Sequence, residues 1–418
     1  MTSFDPLAFR NHFPAFAAMR DEGRDFHYLD SGASTLVAAP VIAAMADHDT
    51  RLRANVHRSV HYWAEQATQA FEAARDTLAA YFGTPRAEIV LTSGTTQALN
   101  IIAYGLSDGL QTGDEVLVAA DNHHANIVSW QIHAAAKGAT ITPIALTPLG
   151  QIDEDALAAQ LTDKVRIVAL SHISNVTGWE VDLNKIGSMI RAKAPNAAII
   201  VDGAQSACHW PLFETALPDL PIDFYACSAH KMFGPTGVGM FWGRGDLMEN
   251  MPPLLGGGEM ITNVSFDGTS FAQPPTRFEA GTPPITQAIG FGAAVGFLTG
   301  LDHRAIRAHE VTLASRLAAT LAAQPPLDTT ILGGADFSRD RAPLVSFAIT
   351  GCHPHDICQL VDRNGVAMRG GHHCAQPLMT HFGLLASTRA SIAGYNTPDD
   401  IDAAINAIKD AINLLKGT

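Results

Sequence analysis

Short apolar runs alternate with helical patterns through the first three hundred residues. The stretches 116–120, 141–146, 166–170, 197–201, 223–226 and 238–242 are rich in β-branched and aliphatic residues, and polar residues or glycine follow them. Each reads as a strand buried on both faces. Helical periodicity fills many of the gaps, at 95–104, 127–137, 153–160 and 183–193. Strand, helix and strand in that rhythm predict a largely parallel sheet covered by helices on both sides.

The texture changes after about residue 295. A long helical pattern runs over 296–323, and a Gly/Pro-containing stretch, 324–343, interrupts it. A strand (344–350), a helix (355–364), a strand (365–369) and a C-terminal helix (397–416) follow. The predicted organisation is α/β, with a large domain over 25–295. A smaller α+β domain is formed by 1–24 and 296–418.

Composition narrows the functional classes. Apolar residues make up 47% of the 418, ample for a large core and unlike a disordered chain. Lys+Arg is 27 and Asp+Glu is 41, so the net charge is 27 − 41 = −14. That balance predicts no nucleic-acid partner and no anionic-membrane partner. The opening MTSFDPLAFRNHF lacks the basic-then-apolar pattern of a signal peptide, and no run reaches the ~18 apolar residues of a membrane span. Five cysteines form an odd, sparse set that fits a reducing cytoplasm rather than a disulfide framework.

What ends the strands is the most informative feature, because parallel sheets bind ligands beyond the carboxyl ends of their strands. Run 116–120 leads into Asp121, Asn122, His123 and His124; run 197–201 into Asp202, Gly203, Ala204 and Gln205; run 223–226 into Cys227, Ser228, Ala229, His230 and Lys231. Of seven lysines, Lys231 alone follows a buried strand. A lysine in a desolvated pocket has a lowered pKa and can form a Schiff base, although a lysine capping a strand end would look the same. Asp202 can hold a protonated pyridine nitrogen or simply cap a helix. Ser93, Gly94, Thr95 and Thr96 open a helix and suit a phosphate, although a threonine N-cap needs nothing more. Cys374 lies in a Gly/Pro loop beside Arg369, His372 and His373, a setting that favours thiolate; Arg389 can fork onto a carboxylate. The set Cys352, His353, His355 and Cys358 has no recognised metal spacing, so no metal site is predicted. No GxGxxG dinucleotide fingerprint occurs.

Taken together, these segments resemble the cysteine desulfurases of the class V aminotransferase superfamily, in the branch that works with an activator protein. The carrying segments are Tyr28-Leu-Asp-Ser31, Asn55-Val-His57-Arg58, Gly94-Thr95-Thr96, His123-His-Ala-Asn-Ile-Val128, Ser174-Asn175-Val176 and Val201-Asp202-Gly-Ala-Gln205. Ser228-Ala-His230-Lys231, Gly234-Pro-Thr-Gly237, Phe278-Glu-Ala-Gly-Thr282-Pro283, His372-His-Cys374-Ala375 and Arg389-Ala-Ser391 complete the set, in the family's order.

The resemblance implies a fold-type I pyridoxal 5'-phosphate enzyme with a mostly parallel seven-stranded sheet. Lys231 would carry the cofactor as a Schiff base, Asp202 would hold the ring nitrogen, Gln205 would lie near the phenolic oxygen and His123 would stack on the ring. Thr95, Thr96, Ser228 and His230 would bind the phosphate, helped by Thr282 from a second subunit. Asn175 and Arg389 would grip the carboxylate of L-cysteine, with Arg369, His57 and Arg58 as further substrate-binding candidates. Cys374 would accept the sulfur, with His123 near enough to exchange a proton. The compact run from His373 to Pro377 implies a dedicated sulfur-acceptor protein. Two departures stand out: Ala229 where glycine is usual, and Gly32 where alanine is usual. Selenocysteine lyase and cysteine sulfinate desulfinase share this apparatus and remain open, as does a non-catalytic metal-binding or sulfur-relay protein.

Overall fold

A computed structural model describes residues 4–323, 328–337 and 341–417. Its main sheet has seven strands: β1 (Ile89–Thr92), β2 (Glu115–Ala119), β3 (Thr140–Ile144), β4 (Val165–Ser171), β5 (Ala198–Asp202), β6 (Phe224–Ser228) and β7 (Gly239–Gly243). Their spatial order is β1-β7-β6-β5-β4-β2-β3, and only β7 runs against its neighbours. Six of these were legible as apolar runs, within a residue or two of their observed ends.

The reason for the runs is burial on both faces. In β4, Val168 and Leu170 enter one apolar cluster while Ile167 and Ala169 enter the cluster on the other side. Alternation cannot show in a strand that has no wet face. Because β2, β4, β5 and β6 are parallel, the residues after them emerge at one edge.

A second, four-stranded antiparallel sheet pairs Leu344–Ile349 with Thr329–Ile331 and Ser387–Ser391, and Ser387–Ser391 with Arg369–Gly371. Its own apolar cluster joins Val345 and Phe347 to Leu317 and Leu321 of helix His303–Ala322, and to Ile401, Ile405 and Ile408 of helix Pro398–Lys416. Asp400 ties the N-terminal segment to that last helix, pairing with Arg10 and, at 2.7 Å, with His27.

The helical pattern over 296–323 belongs to two helices, Ile285–Thr299 and His303–Ala322, bent by 88°. Asp302 makes the break local by capping the second helix, its carboxylate accepting from the Ala305 amide at 3.0 Å. The interruption 324–343 lies partly outside the described residues; its described part holds strand Thr329–Ile331. Among the described residues no single helix is long and apolar enough to cross a membrane.

Candidate active site

At the carboxyl edge of the main sheet lies a cavity of about 230 Å³. Thr95, Thr96, Ser228 and His230 line it, as do His123, Asp202, Gln205 and Lys231. The second sheet and its loops supply Arg369, Cys374 and Arg389, and the turn after β4 supplies Asn175. Residues more than 250 positions apart thus share one space. His57, Arg58 and Thr282 do not line it. His57 lies 3.2 Å from Glu72, Arg58 pairs with Glu259, and Thr282 lines a separate surface cleft with Arg53 and Asn55.

One end of the cavity is an anion cradle. Helix Thr95–Ser107 starts directly after β1, and the Thr95 amide and hydroxyl lie 2.8 and 2.7 Å from the Ser228 hydroxyl. The close approach needs small residues: a Cβ on Gly239 would sit 2.6 Å from the Gly94 Cα, and Gly94 has φ +150°. Burial, then the Lys231 charge, lowers the His230 pKa to about 4, so it presents a neutral imidazole.

Asp202 closes β5, buried, with one oxygen accepting from the Ala204 amide at 2.9 Å. Burial raises its pKa, and the Ala204 amide and Lys231 oppose the shift. A desolvated carboxylate gains most from a cationic partner, which suits a pyridinium nitrogen. Burial lowers the Lys231 pKa to about 8; Asp202 pulls it up, Arg389 and Arg369 push it down. An amine so placed is partly unprotonated near neutral pH, the state that condenses with an aldehyde. His123 is neutral, its pKa lowered to about 3 by burial and then by Lys231. Its Nδ1 accepts from the Ala125 amide at 3.1 Å, which leaves the ring proton on Nε2. Lysine, carboxylate, flat imidazole and anion cradle together fit pyridoxal phosphate.

Arg389 is 1% exposed. One Nη donates to the Asn175 carbonyl at 2.8 Å and the other to Asp30 at 3.3 Å, while its Nε has no partner. A buried, unpaired guanidinium N–H beside a cavity is an anion site in waiting. Asp30 was not singled out from the sequence as a partner for Arg389; it lies 359 positions away and no spacing rule reaches it. Gly32, the second departure noted above, leaves room here: a Cβ would lie 2.8 Å from the tip of Leu344 and 3.2 Å from the Arg389 Cζ.

The Cys374 loop is held in a rare conformation. His373 and Cys374 both have positive φ, +51° and +56°. Each left-handed non-glycine residue costs about 1–2 kcal/mol. Hydrogen bonds of about 1 kcal/mol each offset this. The His124 amide donates to the Cys374 carbonyl at 2.7 Å, and the Asn175 side chain donates to the His373 carbonyl at 2.7 Å. The Cys374 amide donates to His372 Nδ1 at 3.2 Å, and the Gln376 amide to His124 Nε2 at 3.0 Å. The clamping roles of His124 and His372 were not read from the sequence.

A second cavity, about 50 Å³, lies behind Lys231 and Gln205, with Glu310 and His209 in its wall. The segment 352–358 serves structure: Cys352 is buried, and His353 caps helix Pro354–Asp362 by accepting from the His355 amide. Among the described residues no three of His, Cys, Asp and Glu gather to hold a metal ion.

The aminotransferase class-V family model matches residues 27–404. A probable cysteine desulfurase of Streptomyces coelicolor is 38% identical over 416 residues, covering 98% of this chain and 97% of that protein. One from Xylella fastidiosa is 41% identical over 395 residues, covering 94% and 92%. The crystal structure of the cysteine desulfurase CsdA from Escherichia coli superposes with a TM-score of 0.89 at 37% identity, covering 98% of this chain and 99% of that one.

Proposed function

This chain belongs to the class-V aminotransferase family and is a cysteine desulfurase that uses pyridoxal phosphate, and we propose a role for each side chain of the cavity. Lys231 carries the cofactor. Thr95, Thr96, Ser228 and His230 hold its phosphate, Asp202 its ring nitrogen, Gln205 its phenolic oxygen and His123 its face. The bound cofactor supplies an electron sink that allows a carbanion at the substrate Cα. Arg389 and Asn175 orient the substrate carboxylate, with Arg369 at the same cavity. Lys231, its pKa lowered to about 8, takes the Cα proton on Nζ. The Cys374 sulfur then bonds to the substrate sulfur as the Cβ–S bond breaks. Alanine leaves, and Cys374 holds the sulfur as a persulfide. His123 exchanges a proton beside it.

The observation that carries this reading is that Lys231, Arg389 and Cys374 line one cavity. Incubation of the purified protein with L-cysteine and a reductant tests it. Alanine and sulfide should form in equal amounts, and absence of both would overturn it. Cys374 in that cavity favours a thiol substrate over selenocysteine or cysteine sulfinate, which need no sulfur-accepting thiol.

We propose a homodimer, supported by the candidate residues that lie off the cavity. His57, Arg58 and Thr282 do not line the cavity; His57 and Arg58 precede exposed Val60, Tyr62 and Trp63, and Arg58 pairs with Glu259, just ahead of the hairpin Ile261–Ser265/Gly268–Phe271 with exposed Phe266. Such an apolar surface suits a homodimer in which each subunit offers these residues to its partner. Residues 25–295 bind the cofactor, and 1–24 with 296–418 form the smaller unit that carries Cys374 and Arg389. An acceptor protein takes the sulfur from the compact Cys374 loop. Five unpaired cysteines support a reducing compartment such as the cytoplasm.

A further inference from the structure

The turn after β4 is densely hydrogen-bonded. The Ser174 carbonyl accepts from the Gly178 amide at 3.0 Å, the Asn175 carbonyl from Arg389, the Val176 carbonyl from the Ser346 hydroxyl at 2.6 Å, and the Thr177 carbonyl from Arg341 at 2.6 and 3.0 Å. Every carbonyl from 174 to 177 is therefore occupied. Arg341 is fully buried and also donates to the carbonyls of Leu332, Gly334 and Asp336. The turn is bolted to the second sheet and acts as a fixed post.

From this post the Asn175 side chain reaches the His373 carbonyl, the peptide that precedes Cys374. His373 and Cys374 are consecutive left-handed residues, a conformation that persists only where surroundings impose it. Asn175 is 7% exposed and lines the same cavity as Arg389. An amide nitrogen bears two hydrogens, so one remains for a carboxylate in that cavity.

We propose that Asn175 is a positioning residue for the Cys374 thiol, coupling occupancy of the substrate carboxylate site to the geometry of the sulfur-accepting loop. This rests on Cys374 being the acceptor, and it adds a task to the substrate contact already given to Asn175. A carboxylate bound to one N–H orients the amide, and the other N–H then fixes the His373 peptide and the thiol after it. Without the amide donor the loop loses its link to the rigid post and relaxes toward ordinary backbone angles.

The test uses the holoenzyme and Asn175→Asp, which keeps the shape but sets an acceptor against the His373 carbonyl. Asn175→Ala, which removes the whole amide, is the second variant. The rate of Cys374 alkylation by iodoacetamide is followed by peptide mass spectrometry, with and without L-alanine as a sulfur-free occupant of the site. Losing one buried hydrogen bond should raise the alkylation rate about tenfold in either variant. Alanine should slow alkylation in the parent protein and leave the rate in both variants unaltered, and kcat should fall as KM rises. An unchanged alkylation rate in both variants, with the loss confined to KM, would overturn the proposal. That outcome differs from failure of the acceptor reading, which would show as full turnover in Cys374→Ala whatever the alkylation rates.

Discussion

Arg389→Lys isolates the fork from the charge. The guanidinium donates to the Asn175 carbonyl and to Asp30, and its buried Nε is left without a partner. An ammonium keeps the positive charge beside Asp30 but cannot reproduce that planar geometry. A hydrogen bond to a charged group contributes about 1.5–3 kcal/mol, and 1.4 kcal/mol is a factor of ten. The KM for cysteine should therefore rise roughly 10- to 100-fold, with a smaller change in kcat. Steady-state alanine formation at several cysteine concentrations reads both constants. Thermal melting serves as the control, since Asp30 keeps a cation nearby and Tm should move little. By contrast, Arg389→Ala would strand Asp30, whose carboxylate is mostly buried, and should lower Tm as well. An unaltered KM in the lysine variant would refute the assignment of Arg389 to the substrate carboxylate.

Lys231→Ala should abolish the visible absorption of bound pyridoxal phosphate; a preserved spectrum would show that another group holds the aldehyde. In the cofactor-free protein, acylation of Lys231 should rise through pH 8, well below the range of an ordinary lysine, and a midpoint near that of the exposed lysines would contradict the desolvated setting. Cys374→Ala should keep the colour yet form no alanine from cysteine, and undiminished turnover would remove it as acceptor. Glu310 tests the seam behind the cavity. It is buried, its Oε2 is unpartnered and 4.0 Å from His209, and burial raises its pKa to about 8. A carboxyl with a raised folded pKa is harmless below its unfolded value of 4.5 and costs stability as pH rises toward 8. Glu310→Gln should therefore match the parent near pH 4.5 and exceed it by up to roughly 3 kcal/mol at pH 7. A stability difference independent of pH would show that Glu310 is not held neutral.

The main sheet was legible because its strands are apolar throughout, and the cofactor residues were legible because they follow those strands directly. Other features left fainter traces. Helix Tyr62–Phe82 carries a plain amphipathic stripe, with Ala64, Ala67, Phe71, Ala74 and Leu78 buried, a periodicity present in the sequence but carrying no chemistry. The hairpin Ile261–Ser265/Gly268–Phe271 turns at Phe266-Asp267, and its strands are exposed and lack a core-facing pattern. The 88° break near residue 300 hid inside continuous helical periodicity. What no local rule could supply was the pairing of distant groups. Asp30 with Arg389, Arg341 with the Thr177 carbonyl and Asn175 with the His373 carbonyl each join segments more than 150 positions apart. The resemblance placed Cys374 near Lys231, but not the strained backbone that aims it.

The most direct test is a single turnover with L-cysteine and no reductant, followed by peptide mapping of all five cysteines. The account predicts one added sulfur atom on the peptide containing Cys374 and none on those containing Cys208, Cys227, Cys352 or Cys358. Alanine released with the added sulfur on another cysteine, or with none retained on any, would contradict it.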